Sequence, residues 1–242
     1  MFNIIIRDTY EELSAEAFKP VKEVLKKEHP VLGLATGSSP VGLYKEMIRD
    51  HKENGTSYQN VVTFNLDEYV GIPQNHAQSY YTFIHENLFN YIDCPESHIH
   101  VPEGFRKDEE QACVDYENAL KQYSVDIQVL GIGRDGHIAF NEPGTPFTSE
   151  THLMDLTEET RTDNARFFDG DINQVPKKAI TQGLASIMRA KKIILIATGE
   201  NKAQAVYDMI KGPKSTNCPA SILQDHADVT VYLDKAAASK LD

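Results

Sequence analysis

Residues 126–142 read DIQVLGIGRDGHIAFNE, and this stretch sets the fold class. Its first five residues form an apolar run suited to a strand buried on both faces of a parallel sheet. Gly131, Gly133 and Gly136 then permit a sharp turn and a close approach to the backbone. Asp135, His137 and Glu142 lie within and just beyond that turn. Two acids and an imidazole at the end of a buried strand are the groups that proton transfer requires. A single histidine in a turn is also compatible with a surface residue or a satisfied core residue. The glycines match G-x-G-x-x-G as well, but a dinucleotide site needs a helix to open there. Here Pro143 and Gly144 follow at once, and no second strand ending in an acid comes about 20 residues later. Nucleotide binding is therefore rejected.

Outward from this turn, strands and helices alternate. Residues 2–6 form a short strand, and a helical pattern begins near Asp8 with Leu13, Ala17, Val21, Val24 and Leu25 on one face. Pro20 should kink or split that helix. Residues 31–35 (VLGLA) make a buried strand that ends in Thr36-Gly37-Ser38-Ser39-Pro40. Ser39 suits the N-cap and Pro40 the first helical position. Such a turn is either an ordinary capped connection or a phosphate cradle of free amides at a helix N-terminus. Residues 61–66 (VVTFNL) form a third strand with Asp67 and Glu68 at its end, where Asp67 either solvates a loop or serves a site. Residues 79–89 carry Tyr80, Phe83, Ile84, Leu88 and Phe89 at helical spacing, a core pattern. Residues 93–107 look like connection, and residues 109–123 return to a helical pattern.

Beyond the central turn, residues 145–171 show little periodicity. A loop-rich insertion of this kind, within about 145–175, fits a lid, and it carries Arg166. Residues 176–189 show helical spacing of Ile180, Leu184 and Ile187. Residues 193–198 (IILIAT) make another buried strand, followed by Lys202 at a helix start. A cation is disfavoured there unless an anion binds beside it. Residues 229–233 form the last strand. The expected architecture is α/β: a single-domain, Rossmann-like, doubly wound and mainly parallel sheet across residues 1–242, with helices on both faces and a loop-rich lid. Ligands in such sheets bind beyond the carboxyl ends of the strands. Thr36-Gly37-Ser38, Asp67, Asp135 with His137, and Lys202 all follow expected strands, so four strands deliver polar groups to one edge.

Composition narrows the partners. With 242 residues, 40% hydrophobic and 25% charged, the chain can bury a core. A net charge of −12 argues against nucleic acid or an anionic membrane as partner, yet leaves room for a small anion in a local pocket. Cys94, Cys113 and Cys218 lack CxxC spacing and suit a reducing, cytoplasmic setting. The first apolar run is too short for a signal peptide. No stretch approaches bilayer-spanning length.

Six ordered segments resemble the glucosamine-6-phosphate deaminase family: GLATGSSPVGLY (33–44), FNLDEYVGI (64–72), GIGRDGHIAFNEPGT (131–145), TRTDNARFF (160–168), NQVPKKAIT (173–181) and TGENKA (198–203). The resemblance implies conversion of glucosamine 6-phosphate and water to fructose 6-phosphate and ammonia, with no organic cofactor and no metal. It implies that Asp67 moves the C2 proton to C1, and that His137, oriented by Asp135 and Glu142, opens the sugar ring. It also implies that Thr36, Gly37, Ser38, Arg166 and Lys202 hold the phosphate. The residue type at Asp67 agrees, since a carboxylate of ordinary pKa, about 4, is ionised at neutral pH. Longer members extend past the last strand, and allosterically regulated members carry basic residues where this chain has Ser149-Glu150-Thr151-His152-Leu153-Met154. A non-allosteric monomer or small homo-oligomer is expected. Two alternatives remain: a 6-phosphogluconolactonase, disfavoured by Glu142 and Tyr69, and a sugar-phosphate-sensing regulator, for which no DNA-binding helix pair precedes the first strand.

Overall fold

The computed structural model describes residues 2–241. Strand β1 (Asn3–Arg7) leads to helix α1 (Tyr10–Val24), which opens with a reciprocal cap. The Thr9 hydroxyl accepts the Glu12 amide at 3.2 Å, and the Glu12 carboxylate accepts the Thr9 amide at 3.3 Å. Of the kink or split expected at Pro20, the split does not occur: α1 continues through it as one helix. Leu13, Ala17, Phe18 and Val21 are all buried along this helix. Burying large apolar side chains at roughly 1.5–3 kcal/mol each outweighs a proline cost of about 3 kcal/mol.

Strand β2 (Val31–Leu34) is followed by α2 (Val41–Asn54). This helix starts later than expected. Pro40 takes the cap position, and no side chain bonds there. The Tyr10 hydroxyl of α1 does that work, accepting the Gly42 amide at 2.8 Å. Strand β3 (Val62–Asn65) ends before Leu66, and the chain then turns out of the sheet into β4 (Asp67–Tyr69). Asp67 thus begins a strand of its own rather than trailing one. Helix α3 (Tyr80–Asn87) is capped by Ser79, and the stretch expected as connection contains a two-residue strand, β5 (Ile99–His100). Helix α4 (Glu109–Lys121) returns the chain to β6 (Ile127–Leu130), the strand expected ahead of the glycine turn.

The segment expected as a loop-rich lid is more ordered than that. It contains β7 (His152–Asp155) and α5 (Glu158–Asn164). The helix expected over 176–189 is instead strand β8 (Lys178–Thr181) followed by the short α6 (Leu184–Ile187). Gly183 separates them in extended geometry, and a Cβ there would lie 2.2 Å from the Ser149 carbonyl oxygen. That contact requires glycine at this position, and pairing of Lys178–Thr181 with β4 and with β7 takes the place of the helix that side-chain spacing alone allows. Strand β9 (Ile193–Ala197), α7 (Ala203–Ile210) and β10 (Val229–Asp234) complete the order.

Seven strands pair in parallel as β1-β10-β9-β6-β2-β3-β5. Strands β2, β6 and β9 are buried at every residue, so both faces of the sheet are covered, as in doubly wound folds. Between β2 and β6 the strand order changes direction, and a crevice opens at such a switch point. A second, antiparallel sheet runs β4-β8-β7, with Asp67 opposite Thr181 and His152 also opposite Thr181. It encloses its own apolar cluster of Tyr69, Phe140, Leu156, Ala165, Phe168, Val175 and Ala179. Among the described residues, no helix is long and apolar enough to cross a membrane.

Asp126 fastens the base of the main sheet. It accepts the Val31 amide at 3.0 Å, Lys27 at 2.5 Å and Lys191 at 2.8 Å. Burial pushes its carboxyl up, but the two lysines and the amide outweigh burial and hold it below the usual range. Its contribution is therefore present above the unfolded value of about 3.9 and lost as pH falls through the lower folded value. Asp126→Asn is expected to cost roughly 1.5–3 kcal/mol at pH 7. Urea midpoints measured at pH 7 and pH 3 check this, since the deficit should shrink at the acid pH.

Candidate active site

A cavity of about 610 Å³ opens at the carboxyl ends of β2, β6 and β9. Thr36, Gly37, Ser38, Asp67, His137, Arg166 and Lys202 all line it. Asp135 and Glu142 do not; they sit behind His137. Of the nine residues singled out from sequence, seven therefore reach the cavity and two support one that does.

The turn after β2 is pinned from below. Gly37 has φ +83, a left-handed conformation that a side chain would strain. The Tyr10 hydroxyl faces the carbonyls of Ser38 and Ser39 at 3.0 and 2.7 Å, fixing the turn against α1. Across the cavity mouth, Lys202 occupies the cap position of α7. Burial pushes its ammonium below the usual value, Asp163 pulls it back up, and Arg166 and Arg134 push it further down. Arg134 and Asp163 form a two-pronged ion pair between the glycine turn and α5. Three cations, Lys202, Arg166 and Arg134, set against two acids, Asp163 and Asp135, leave this end of the cavity net positive and suited to an anion.

The glycine turn aims the imidazole. A Cβ on Gly133 would lie 2.2 Å from the His137 Cε1 atom, so only glycine leaves room for the ring. Gly136 has φ +84, and a Cβ there would lie 2.6 Å from the Cys218 Sγ atom. The Asp135 carboxylate accepts the His137 amide at 3.1 Å and approaches Nδ1 at 2.7 Å. That closer approach is off the line of the ring N–H, so the buried Nδ1 has no well-aligned partner. Glu142 Oε2, also buried and unbonded, lies 3.8 Å from Nδ1. A proton on Nδ1 would sit between two carboxylates, leaving Nε2 free to exchange protons with a ligand. Burial pushes the Asp135 carboxyl up, but the adjacent imidazole outweighs burial and keeps it low. The other oxygen of Glu142 accepts the Thr157 amide at 3.2 Å, and Thr157 caps α5. The acid behind the histidine thus also holds the start of the segment that covers the cavity. Asp135, His137 and Glu142 offer donor atoms within 4.8 Å of one another and could hold a small metal ion.

Asp67 faces this group from β4. It is buried, and both burial and the adjacent Glu68 push its carboxyl well above the ordinary carboxylate range. The expectation of an ordinary pKa near 4 is thereby corrected: an acid dehydrated at a strand start binds its proton tightly. Tyr69, two residues on, also lines the cavity, and its hydroxyl accepts the Asn164 amide of α5 at 2.9 Å.

Four residues were not identified from the sequence as part of the site. Tyr80 and Phe83 of α3, expected only as core, line the cavity, with Tyr80 stacked on Phe140 at 5.7 Å between ring centroids. Arg134 lies inside the glycine turn, where its charge was a visible signal. Glu68, the second acid of the Asp67-Glu68 doublet, is buried beside Asp67.

A family profile described as glucosamine-6-phosphate isomerases/6-phosphogluconolactonase matches residues 7–232. The chain is 48% identical over 238 residues to a glucosamine-6-phosphate deaminase of Thermoanaerobacter pseudethanolicus, covering 98% of this chain and 94% of that one. It is 50% identical over 225 residues to the deaminase of Streptococcus thermophilus, covering 93% and 94%. A solved structure of a monomeric glucosamine-6-phosphate deaminase superposes with a TM-score of 0.96 at 44% identity, over 98% of this chain and 99% of that one. The 6-phosphogluconolactonase of Trypanosoma brucei shares the fold, with a TM-score of 0.77 at 22% identity over 100% and 99%. With likeness of this extent along nearly its whole length, the chain belongs to the glucosamine-6-phosphate deaminase family.

Proposed function

We propose that this protein converts glucosamine 6-phosphate and water to fructose 6-phosphate and ammonia. One observation carries the reading: a basic, hydroxyl-lined end and two proton-transfer groups, His137 and Asp67, share a single cavity in a chain whose 45–50% identical relatives are named for that reaction.

The phosphate lies against Thr36, Gly37 and Ser38, with Lys202 and Arg166 as counter-charges. Its binding energy, remote from the reacting carbons, aligns C1 and C2 with the acid–base groups. The ring form has no carbonyl, so C2–H is not acidic until the ring opens. His137 moves a proton from the anomeric hydroxyl to the ring oxygen, with Asp135 and Glu142 holding its ring and stabilising its charged form. Asp67 then takes the C2 proton and returns it to C1. Carbon 2 becomes an imine, water adds to it, and ammonia leaves. Asp67 must be ionised to act. The ammonium on C2 of the arriving substrate supplies an opposite charge beside it and favours the ionised form. Once protonated, the buried acid keeps that proton long enough to deliver it to C1. These steps use the chain's own residues and call on no cofactor or metal.

The enzyme works as a non-allosteric monomer or small homo-oligomer. The likeness to a monomeric deaminase supports this, as does the acidic and neutral segment at 149–154. Three free cysteines suit a reducing cytoplasm. The lactonase reading rests on a family description shared with the deaminases and on solved structures only 15–24% identical.

Ammonia release is measured from glucosamine 6-phosphate, with glucosamine and 6-phosphogluconolactone in parallel. Ammonia is expected from the phosphorylated amino sugar alone; lactone hydrolysis without ammonia would transfer the assignment to the lactonase reading. Asp67→Asn should still bind the sugar phosphate while kcat falls by roughly 10²–10⁴-fold, and exchange of the C2 hydrogen with deuterated water should stop. Lys202→Ala should raise KM by roughly 10- to 100-fold, the equivalent of one charge-assisted hydrogen bond, with a smaller effect on kcat. Unchanged KM would place the phosphate elsewhere.

A further inference from the structure

Strand β4 has two sides. Asp67 and Tyr69 line the cavity, so Glu68 between them points the opposite way. Glu68 is an acid only 4% exposed, and its partners are backbone amides. One oxygen accepts the Tyr69 amide at 2.8 Å and the Tyr80 amide at 2.9 Å; the other accepts the Tyr81 amide at 2.9 Å. Tyr80 and Tyr81 are the first two residues of α3. Ser79 takes the third amide of that turn, from Thr82, at 3.1 Å. Every free amide of the first turn is thus satisfied, two of them by an acid from another strand. Gly104 closes the space around this contact, since a Cβ there would lie 3.3 Å from the Glu68 Cγ atom.

Helix α3 supplies Tyr80 and Phe83 to the cavity wall. The Tyr80 ring lies 4.8 Å from that of Tyr69. The wall opposite the phosphate end is therefore registered to the base-bearing strand through one carboxylate. We propose that Glu68 is a positioning residue for the reaction: it locks α3 to the strand that carries Asp67, and it holds a second negative charge behind that base. This inference rests on the reading of Asp67 as the C2 base. The second charge makes Asp67 a stronger base, because ionising one of two adjacent buried acids disfavours ionising the other. The other titratable groups that interact with Asp67 are the hydroxyls of Tyr69, Tyr80 of α3 and Tyr116 of α4, all held neutral by burial. Burial also pushes Glu68 up to about 7, and the three amides keep it from rising further. Among the described residues, no cation offsets either acid.

The test compares Glu68→Gln and Glu68→Asp by pH profiles of ammonia release. Glu68→Gln removes the charge and keeps the shape. Asp67 should then ionise more readily, moving the acid limb of kcat/KM down by about one pH unit, with kcat reduced roughly tenfold and KM within about threefold of the parent. Glu68→Asp keeps the charge but is too short to reach both α3 amides. Its acid limb should stay in place while KM rises. An unmoved acid limb in Glu68→Gln would overturn the proposal and leave a purely structural cap. Should Glu68→Gln fail to fold, carboxyl carbon shifts of the unsubstituted protein decide, with the Asp67 signal assigned by its loss in Asp67→Asn. That signal should show a second inflection near pH 7 from Glu68, and a single ordinary titration would overturn the coupling. If the unsubstituted protein releases no ammonia, the deaminase reading fails on its own, and the same carbon titration still decides whether the two acids are coupled.

Discussion

The site depends on the parallel pairing of β2 with β6 and β6 with β9, which sets three strand ends side by side. The β2–β6 ladder is short, joining Leu32 to Ile127 and Gly33 to Gln128. It closes because Gly33 has no side chain: a Cβ there would fall 1.9 Å from the Gln128 Oε1 atom. With these strands in register, the Thr36–Ser38 turn, the glycine turn and the Lys202 cap meet at one crevice. Their amides, imidazole and ammonium come from segments far apart in sequence, and no local contact assembles them.

The second sheet answers a different need. An acid whose proton affinity is raised by dehydration must be kept from water, and an open strand end on the main sheet would leave it wet. The chain therefore leaves the main sheet after β3 and pairs Asp67 against β8, under an aromatic cluster of Tyr69, Phe140 and Phe168. The same small sheet carries the covering segment, whose helix α5 is capped beside Glu142 and bonded to Tyr69. The covering segment is thus hydrogen-bonded both to the acid beside the imidazole and to the strand that carries Asp67, as one unit. The buried Glu117 anchors the foot of that unit, accepting from Thr151, Ser186 and Arg189.

Legibility in the sequence followed apolar continuity. Long apolar runs such as IILIAT and DIQVL identify themselves, and the polar turns after them mark the edge where ligands bind. The three-residue β4 does not announce itself, because Asp-Glu-Tyr is polar and its strand pairing is set by a partner more than a hundred residues away. Ile180, Leu184 and Ile187 satisfy a helical period, yet the first belongs to a strand; pairing of Lys178–Thr181 with β4 and β7 decides the matter, and no spacing rule contains it. The identity of the acids was readable, but their proton affinity was not, since dehydration of Asp67 arises from the second sheet rather than from its neighbours in the chain. Glu68 escaped notice for a related reason: its role is to bind a helix start that only the fold brings near.

Cys218 gives the glycine turn a property beyond shape. Its sulfur fills the space against Gly136, and burial pushes the thiol up to about 11. A thiol so rarely ionised is a poor nucleophile towards peroxides and disulfides. The glycine turn is backed by a sulfur that packs like an apolar atom. The imidazole's seat thus rests on a sulfur that burial keeps as the neutral thiol, the form that reacts least with oxidants.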